Sequence, residues 1–169
     1  MNMENSGSTK PEWSEFNWFV RMPDRPLFLE LTERKGQLVR LEFRRGVMPP
    51  TGPSPSSLLR DAARELHAYF EGKLTGFSVP LQVEGTAFQT SVWTALQNVP
   101  YGKTVSYGEL AAQIGKPKAA RAIGGAVGKN PIPIIIPCHR VLAAGGKLGG
   151  FTGGTDIKEW LLAIEGIRG

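Results

Sequence analysis

At 169 residues, 41 % of them hydrophobic and only one of them cysteine, the chain is sized for one compact domain or two small lobes sharing a core, with neither an internal disulfide nor, given just two histidines, a four-ligand structural zinc site. It holds no run of roughly 18 apolar residues to span a bilayer, and the opening MNMENSGSTK lacks the basic start and apolar stretch of a secretory signal. These exclusions predict a cytoplasmic protein with no membrane partner, associated with the nucleoid if the source is prokaryotic. The net charge of +5 is uneven: residues 101–150 carry seven Lys or Arg against Glu109 alone, while the remainder holds 13 basic and 14 acidic residues. On charge alone, this segment fits either a surface that neutralises phosphates or an ordinary solvated basic face.

In chain order, the first elements are short and alternate with turns. Between Trp13 and Arg45, the apolar runs Phe16–Val20, Leu27–Leu31 and Leu38–Phe43 are separated by MPDRP and ERKGQ, which predicts a small antiparallel meander. Residues 48–57, MPPTGPSPSS, are too rich in Pro, Gly and Ser for regular structure and predict a surface linker between two lobes. Leu58, Leu59, Ala62, Leu66, Tyr69 and Phe70 then recur at helical spacing as far as Gly72, predicting an amphipathic helix over 57–71.

Capping patterns mark the helices that follow. Thr86 with Gln89 opens one, with Phe88, Val92, Trp93 and Leu96 inward, and it stops near Pro100. Ser106 with Glu109 opens a short helix carrying Leu110, Ala111 and Ile114 and closed by Gly115. Pro117 suits the first turn of a further helix, with Ala120, Ile123 and Val127 as its stripe and Gly128 as its end. The pair, over about 106–128, has the form of a helix-turn-helix. Lys118, Arg121 and Gly125 are expected on one face of its second helix, at i, i+3 and i+7. Two adjacent glycines, Gly124 and Gly125, in a helix call for close approach of another backbone, either a neighbouring helix or DNA.

Ile134, Ile135 and Ile136 between Pro133 and Pro137 predict a short buried strand that delivers Cys138, His139 and Arg140 to its end. A lone cysteine is usually a small core residue. Here His139 supplies a candidate base and Arg140 a positive field, the two things a thiol near pKa 8.5 needs to act as a nucleophile. Adjacent strand residues point to opposite faces, so His139 reaches Cys138 only through a turn or a water.

Four ordered blocks, VSYGELA at 105–111, RAIGGAVGKNP at 121–131, PCHRV at 137–141 and KEWLLAIEG at 158–166, resemble the O6-alkylguanine-DNA alkyltransferases. The resemblance runs from about Thr86 to Arg168 and is loose toward the N-terminus. It implies a mixed α/β (α+β) fold: an N-terminal lobe of small antiparallel sheet plus helix over about 1–80, and a mostly helical C-terminal lobe over 81–169 with the reactive cysteine at a strand end. It further implies a monomer that needs no cofactor or metal and acts on double-stranded DNA carrying O6-alkylguanine. Cys138 is then the alkyl acceptor, His139 its base through a water, Glu165 the group that orients the histidine, and Tyr107 the proton donor to the departing guanine. Arg121 fills the stack when the nucleotide is rotated out, and Lys118, Ala119, Ala120, Gly124 and Gly125 complete the face against the minor groove. Asn130 holds the turn before the active-site segment, and Val127, Pro133, Val141, Phe151 and Thr152 wall the substrate pocket. Phe151 departs from members with tyrosine there, which removes a hydroxyl from that wall. Attack at the alkyl carbon leaves a thioether on Cys138 and an unalkylated guanine still joined to the DNA; a thioether has no carbonyl for water to attack, so each molecule would act once. The rival readings are a lesion sensor of the same fold that removes no alkyl group, and a cysteine hydrolase using Cys138 and His139.

Overall fold

The computed structural model describes residues 15–50 and 54–168; Trp13, the opening segment and the middle of the expected linker lie outside the described residues. Strands β1 (Glu15–Arg21), β2 (Leu27–Arg34) and β3 (Gln37–Arg45) form an antiparallel sheet in the order β1-β2-β3. The β2–β3 connection is the two-residue loop Lys35–Gly36, both at positive φ (51° and 74°), the turn whose twist matches the flanking strands. Central β2 is buried along nearly its whole length, through Leu27, Phe28, Leu29, Leu31, Thr32 and Glu33.

Helix α1 (Ser57–Phe70) lies against this sheet through Leu59, Ala62, Leu66, Tyr69 and Phe70. Ser56 caps it, its hydroxyl accepting from the Leu59 amide at 3.1 Å and bonding the buried Glu33 carboxylate of β2. One side chain therefore both starts the helix and fastens it to the strand.

Both expected capping boxes are present. Thr86 and Gln89 open α2 (Ala87–Gln97), and Ser106 and Glu109 open α3 (Tyr107–Gln113). Gly115, at φ 75°, ends α3 in the left-handed conformation that glycine adopts without strain. Helix α4 (Ala120–Gly128) begins later than its sequence predicts. Pro117 is not in its first turn: the Ala119 amide donates to the Lys116 carbonyl at 2.9 Å, closing a β-turn with proline at its second position. Lys118 thus sits in that turn, off the helical face that carries Arg121.

Helices α2, α3 and α4 pack on one another, and the Trp93 indole donates to the Ala126 carbonyl at 2.9 Å. Strand β4 (Val105–Ser106) pairs in parallel with β5 (Val141–Leu142), and α5 (Thr155–Ile164) closes the chain. A continuous core joins the sheet, through Leu29, Leu38 and Leu41, to the helical half, through Leu110, Ile123, Ile136 and Leu161. Strand β3 is also tied to the helical half by its backbone, the Leu41 amide donating to the Pro131 carbonyl at 2.9 Å. Among the described residues, no helix is long and apolar enough to cross a membrane.

Candidate active site

The expected strand at 134–136 is replaced by a tight loop. Asn130 spans it: its Nδ2 donates to the Ile136 carbonyl at 2.8 Å, and its Oδ1 accepts from the Ile132 amide at 3.0 Å. Ile134 stands at φ 73°, a left-handed conformation that is unusual for a β-branched residue. The chain then enters a single 3-10 turn, Cys138–Arg140, which leads into β5. Cys138 therefore lies near the end of a strand, as expected, but of β5, which follows it, and not of one over 134–136. In a three-residue turn, neighbouring side chains diverge by about 120° instead of the 180° of a strand, so Cys138 and His139 need not face opposite sides.

His139 is fully buried. Its Nε2 lies 3.3 Å from Glu165 Oε1 and 3.2 Å from the Tyr69 hydroxyl, which itself donates to Glu165 Oε1 at 3.2 Å. A carboxylate on that side assigns the ring proton to Nε2, leaving Nδ1 as a lone pair. Nδ1 has no hydrogen-bond partner among the described residues. Burial holds the imidazole below its ordinary pKa, against the opposing pull of Glu165, so the ring is neutral near pH 7. Glu165, at the C-cap of α5, is buried too, which alone would raise its carboxyl. Hydrogen bonds from His139 and Arg140, with their charges, hold it below the ordinary carboxylate range instead.

Arg140 is committed to this network. Its Nε donates to both Glu165 oxygens at 3.0 and 3.1 Å, its Nη2 to Oε1 at 2.5 Å, and its Nη1 to the Val99 carbonyl at 2.6 Å. It does not supply the positive field expected at the thiol. That field comes from Lys158, 1 % exposed on α5, whose Nζ donates to the carbonyls of Val141 at 2.7 Å, Gly150 at 3.4 Å and Leu148. Burial pushes the Cys138 thiol up to about 11, while the Asn130 side chain, the Lys158 charge and the amides of Cys138 and Ile134 pull it down. In the resting protein the sulfur is a thiol, with groups arranged to favour the thiolate.

Cys138 is the most buried residue lining a cavity of about 200 Å³, with Tyr107, Gly124, Val127 and Gly128 on the helical side and Gly150, Phe151 and Thr152 opposite. A cavity of about 150 Å³ already holds a benzene ring, so this one is sized for a single ring-like guest. Burial raises the half-buried Tyr107 hydroxyl, and so does the nearby Cys138 sulfur. Two expected pocket residues do not line the cavity. Val141 is fully buried in the β4–β5 pair, and Pro133 faces a separate cavity beside β3. Gly124 packs toward the Tyr107 ring, whereas Gly125 is exposed and a Cβ there would meet nothing within 4 Å. No protein neighbour accounts for glycine at 125.

Arg121, Lys118 and Lys129 are exposed. Among the described residues, the ion pairs engage Arg34, Arg40 and Arg44 of the sheet but none of the Lys or Arg between 101 and 129. Lys116 lies over the Phe88 ring at 5.1 Å, while Arg121, Lys118 and Lys129 form no ion pair with any described residue. Ala119 and Ala120, half-buried, open α4 beside Arg121. Tyr69, Lys158 and Arg140's true partner escaped sequence reasoning: Tyr69 looked like one more apolar contact of α1, and nothing local marks a lysine as buried. No group of His, Cys, Asp and Glu able to hold a metal occurs among the described residues.

Fold and site together define a class: α+β proteins with one sulfur, backed by a buried histidine and carboxylate, in a ring-sized cavity beside a helix that bears an exposed arginine. The family model described as 6-O-methylguanine DNA methyltransferase, DNA binding domain, matches residues 87–167. The methylated-DNA–protein-cysteine methyltransferase of Methanosarcina acetivorans is 54% identical over 119 residues, covering 70% of this chain and 76% of the relative. That of Methanosarcina barkeri is 49% identical over 150 residues, covering 86% and 94%. Among solved structures, Mycobacterium tuberculosis OGT in complex with DNA superposes with a TM-score of 0.74 at 46% identity, covering 82% of this chain and 87% of that one. The chain belongs to the methylated-DNA–protein-cysteine methyltransferase family.

Proposed function

We propose that the protein transfers an alkyl group, typically methyl, from O6 of guanine in duplex DNA to Cys138, once per molecule. The single observation that carries this is the geometry behind the sulfur: a neutral, fully buried imidazole whose Nδ1 is unpartnered, next to a thiol at the floor of a ring-sized cavity. The thiol proton passes through a water to His139 Nδ1, and Glu165 offsets the imidazolium charge. The sulfur then forms a bond to the alkyl carbon as the C–O6 bond breaks. The electron pair stays with guanine, which takes a proton from the Tyr107 hydroxyl, itself replenished from solvent, so the base leaves neutral.

A stacked base hides its O6 substituent, so the nucleotide must rotate out of the duplex, and Arg121 fills the gap it leaves. Exposed Arg121, Lys118 and Lys129 favour phosphate contact, and the open surface at Gly125 favours approach of α4 to the minor groove. In this reading the protein works as a cytoplasmic monomer, with the helical half from about residue 81 binding DNA. Incubation with duplex DNA bearing O6-methylguanine adds one methyl group to the Cys138 peptide, measured by intact and peptide mass spectrometry. DNA binding without that mass gain overturns the reading in favour of a lesion sensor. Arg121→Ala slows transfer from duplex DNA more than from free O6-alkylguanine, and equal loss on both rejects the finger role.

A further inference from the structure

The outer wall of the cavity is built on a segment with little structure of its own. Residues 148–154, LGGFTGG, contain four glycines and belong to no helix or strand, so ordering them carries a high entropic cost. From inside, Lys158 gathers the Leu148 and Gly150 carbonyls. From outside, β3 makes two contacts: Arg45 Nη2 donates to the Gly153 carbonyl at 3.5 Å, and the Phe43 ring meets Phe151 edge-on with centroids 5.7 Å apart and planes at 69°. Gly153 completes the interlock: a Cβ there would stand 3.0 Å from Phe151 Cε1 and 3.2 Å from two Phe43 ring carbons. Phe43 also borders a second cavity of about 290 Å³, which adjoins the first through shared Gly128 and Thr152. Without the Phe43 ring, Phe151 has room to tilt outward.

We infer that Phe43 is a specificity-determining, positioning residue: by bracing Phe151 edge-on, the N-terminal sheet fixes the width of the cavity and so the size of the O6 substituent it admits. The inference rests on the transfer reaction proposed above. It is tested by second-order rate constants for transfer to Cys138 from O6-benzylguanine and O6-methylguanine, for the unaltered protein, Phe43→Ala, Phe43→Leu and Phe19→Leu. Phe19 makes an equivalent edge-on pair with Phe28, also at 5.7 Å, elsewhere in the same sheet, and serves as the control for loss of an aromatic pair as such.

Both Phe43 variants raise the benzyl-to-methyl ratio by about two- to tenfold, the worth of one edge-on aromatic contact, and Phe19→Leu leaves it unchanged. In parallel, hydrogen exchange at the Gly154 amide, which donates to the Phe151 carbonyl at 3.0 Å, accelerates in Phe43→Leu but not in Phe19→Leu. A ratio unmoved by Phe43→Leu in a folded protein, or moved equally by Phe19→Leu, overturns the inference while leaving the function intact. If the unaltered protein transfers neither group, the function fails first, and unchanged Gly154 exchange in Phe43→Leu then overturns the brace by itself.

Discussion

Replacing Glu165 with glutamine keeps the shape of the side chain and removes its charge. In the native protein this buried carboxylate accepts three contacts from the Arg140 guanidinium between 2.5 and 3.1 Å, and it lies within 3.3 Å of His139 Nε2 and the Tyr69 hydroxyl. An amide has one acceptor oxygen, and its NH₂ would face guanidinium hydrogens, so Arg140, 6 % exposed, becomes a buried cation without a counter-charge. Breaking such a pair from one side costs about 3–5 kcal/mol, a large share of the roughly 5–15 kcal/mol that holds a domain folded. With a urea slope of about 1–3 kcal/mol per molar, the unfolding midpoint of Glu165→Gln drops by about 1–5 M. Adding Arg140→Met removes the stranded charge and recovers at least half of that loss, because the penalty belongs to the unpaired ion. A single variant within about 0.5 kcal/mol of the parent, or a double variant less stable than the single, would refute the reasoning. Transfer from free O6-methylguanine, measured on protein below its unfolding transition, falls about 100-fold as the imidazolium loses its opposing charge.

Stability should fall away on both sides of a plateau. His139 and Glu165 titrate below their ordinary 6.5 and 4.5 in the folded protein, so the unfolded chain binds more protons and urea midpoints decline as pH falls from about 6.5. Cys138 is shifted the other way, from 9.0 to about 11, so its contribution is present below pH 9 and lost between 9 and 11. Cys138→Ala therefore flattens the alkaline arm and spares the acid arm; an alkaline decline of unchanged steepness would contradict this. Lys158→Met removes the cation beside the thiol and slows iodoacetamide reaction of Cys138 at fixed pH, whereas Lys147→Met, at an exposed site, does not; equal rates in all three proteins count against the Lys158 field. Asn130→Ala strands the Ile132 amide, leaves the Ile136 carbonyl with only the Cys138 amide as donor, and lowers stability by about 1–3 kcal/mol in urea unfolding; a loss under about 0.5 kcal/mol would show that the loop holds itself.

What the sequence made legible was local. Thr86 with Gln89 and Ser106 with Glu109 satisfy helix-end amides within three residues, so both helix starts follow from neighbours alone. The meander follows from alternation and from Lys35–Gly36, whose turn chemistry is self-contained. Pro117 misled because proline favours both the first turn of a helix and the second position of a β-turn; the Lys116 carbonyl decides between them, and no residue type announces which way it points. Of the site, Cys138 and His139 were legible as neighbours, whereas Glu165 and Tyr107 were legible only through resemblance. The site's bonds join residues 25, 70 and 96 positions apart, a separation at which periodicity says nothing.

The triple isoleucine shows why burial by itself does not predict a strand. Ile134 and Ile136 are almost inaccessible, as in a sheet interior, but among the described residues no strand pairs with them, and Asn130 takes two of the loop's backbone groups instead. A β-branched residue at φ 73° costs on the order of 1–3 kcal/mol, and an extended segment would avoid that cost. The strained loop gains what an extended segment lacks: the backbone of Ile134, with that of Cys138 itself, helps pull the thiol down against burial. The side-chain carboxamide of Asn130 and the backbone of Ile134 thus serve the same sulfur. Sequence patterning failed here because the local rule was broken at the point where the sulfur needs donors, and the remaining hydrogen bonds and apolar burial of the loop absorb the strain.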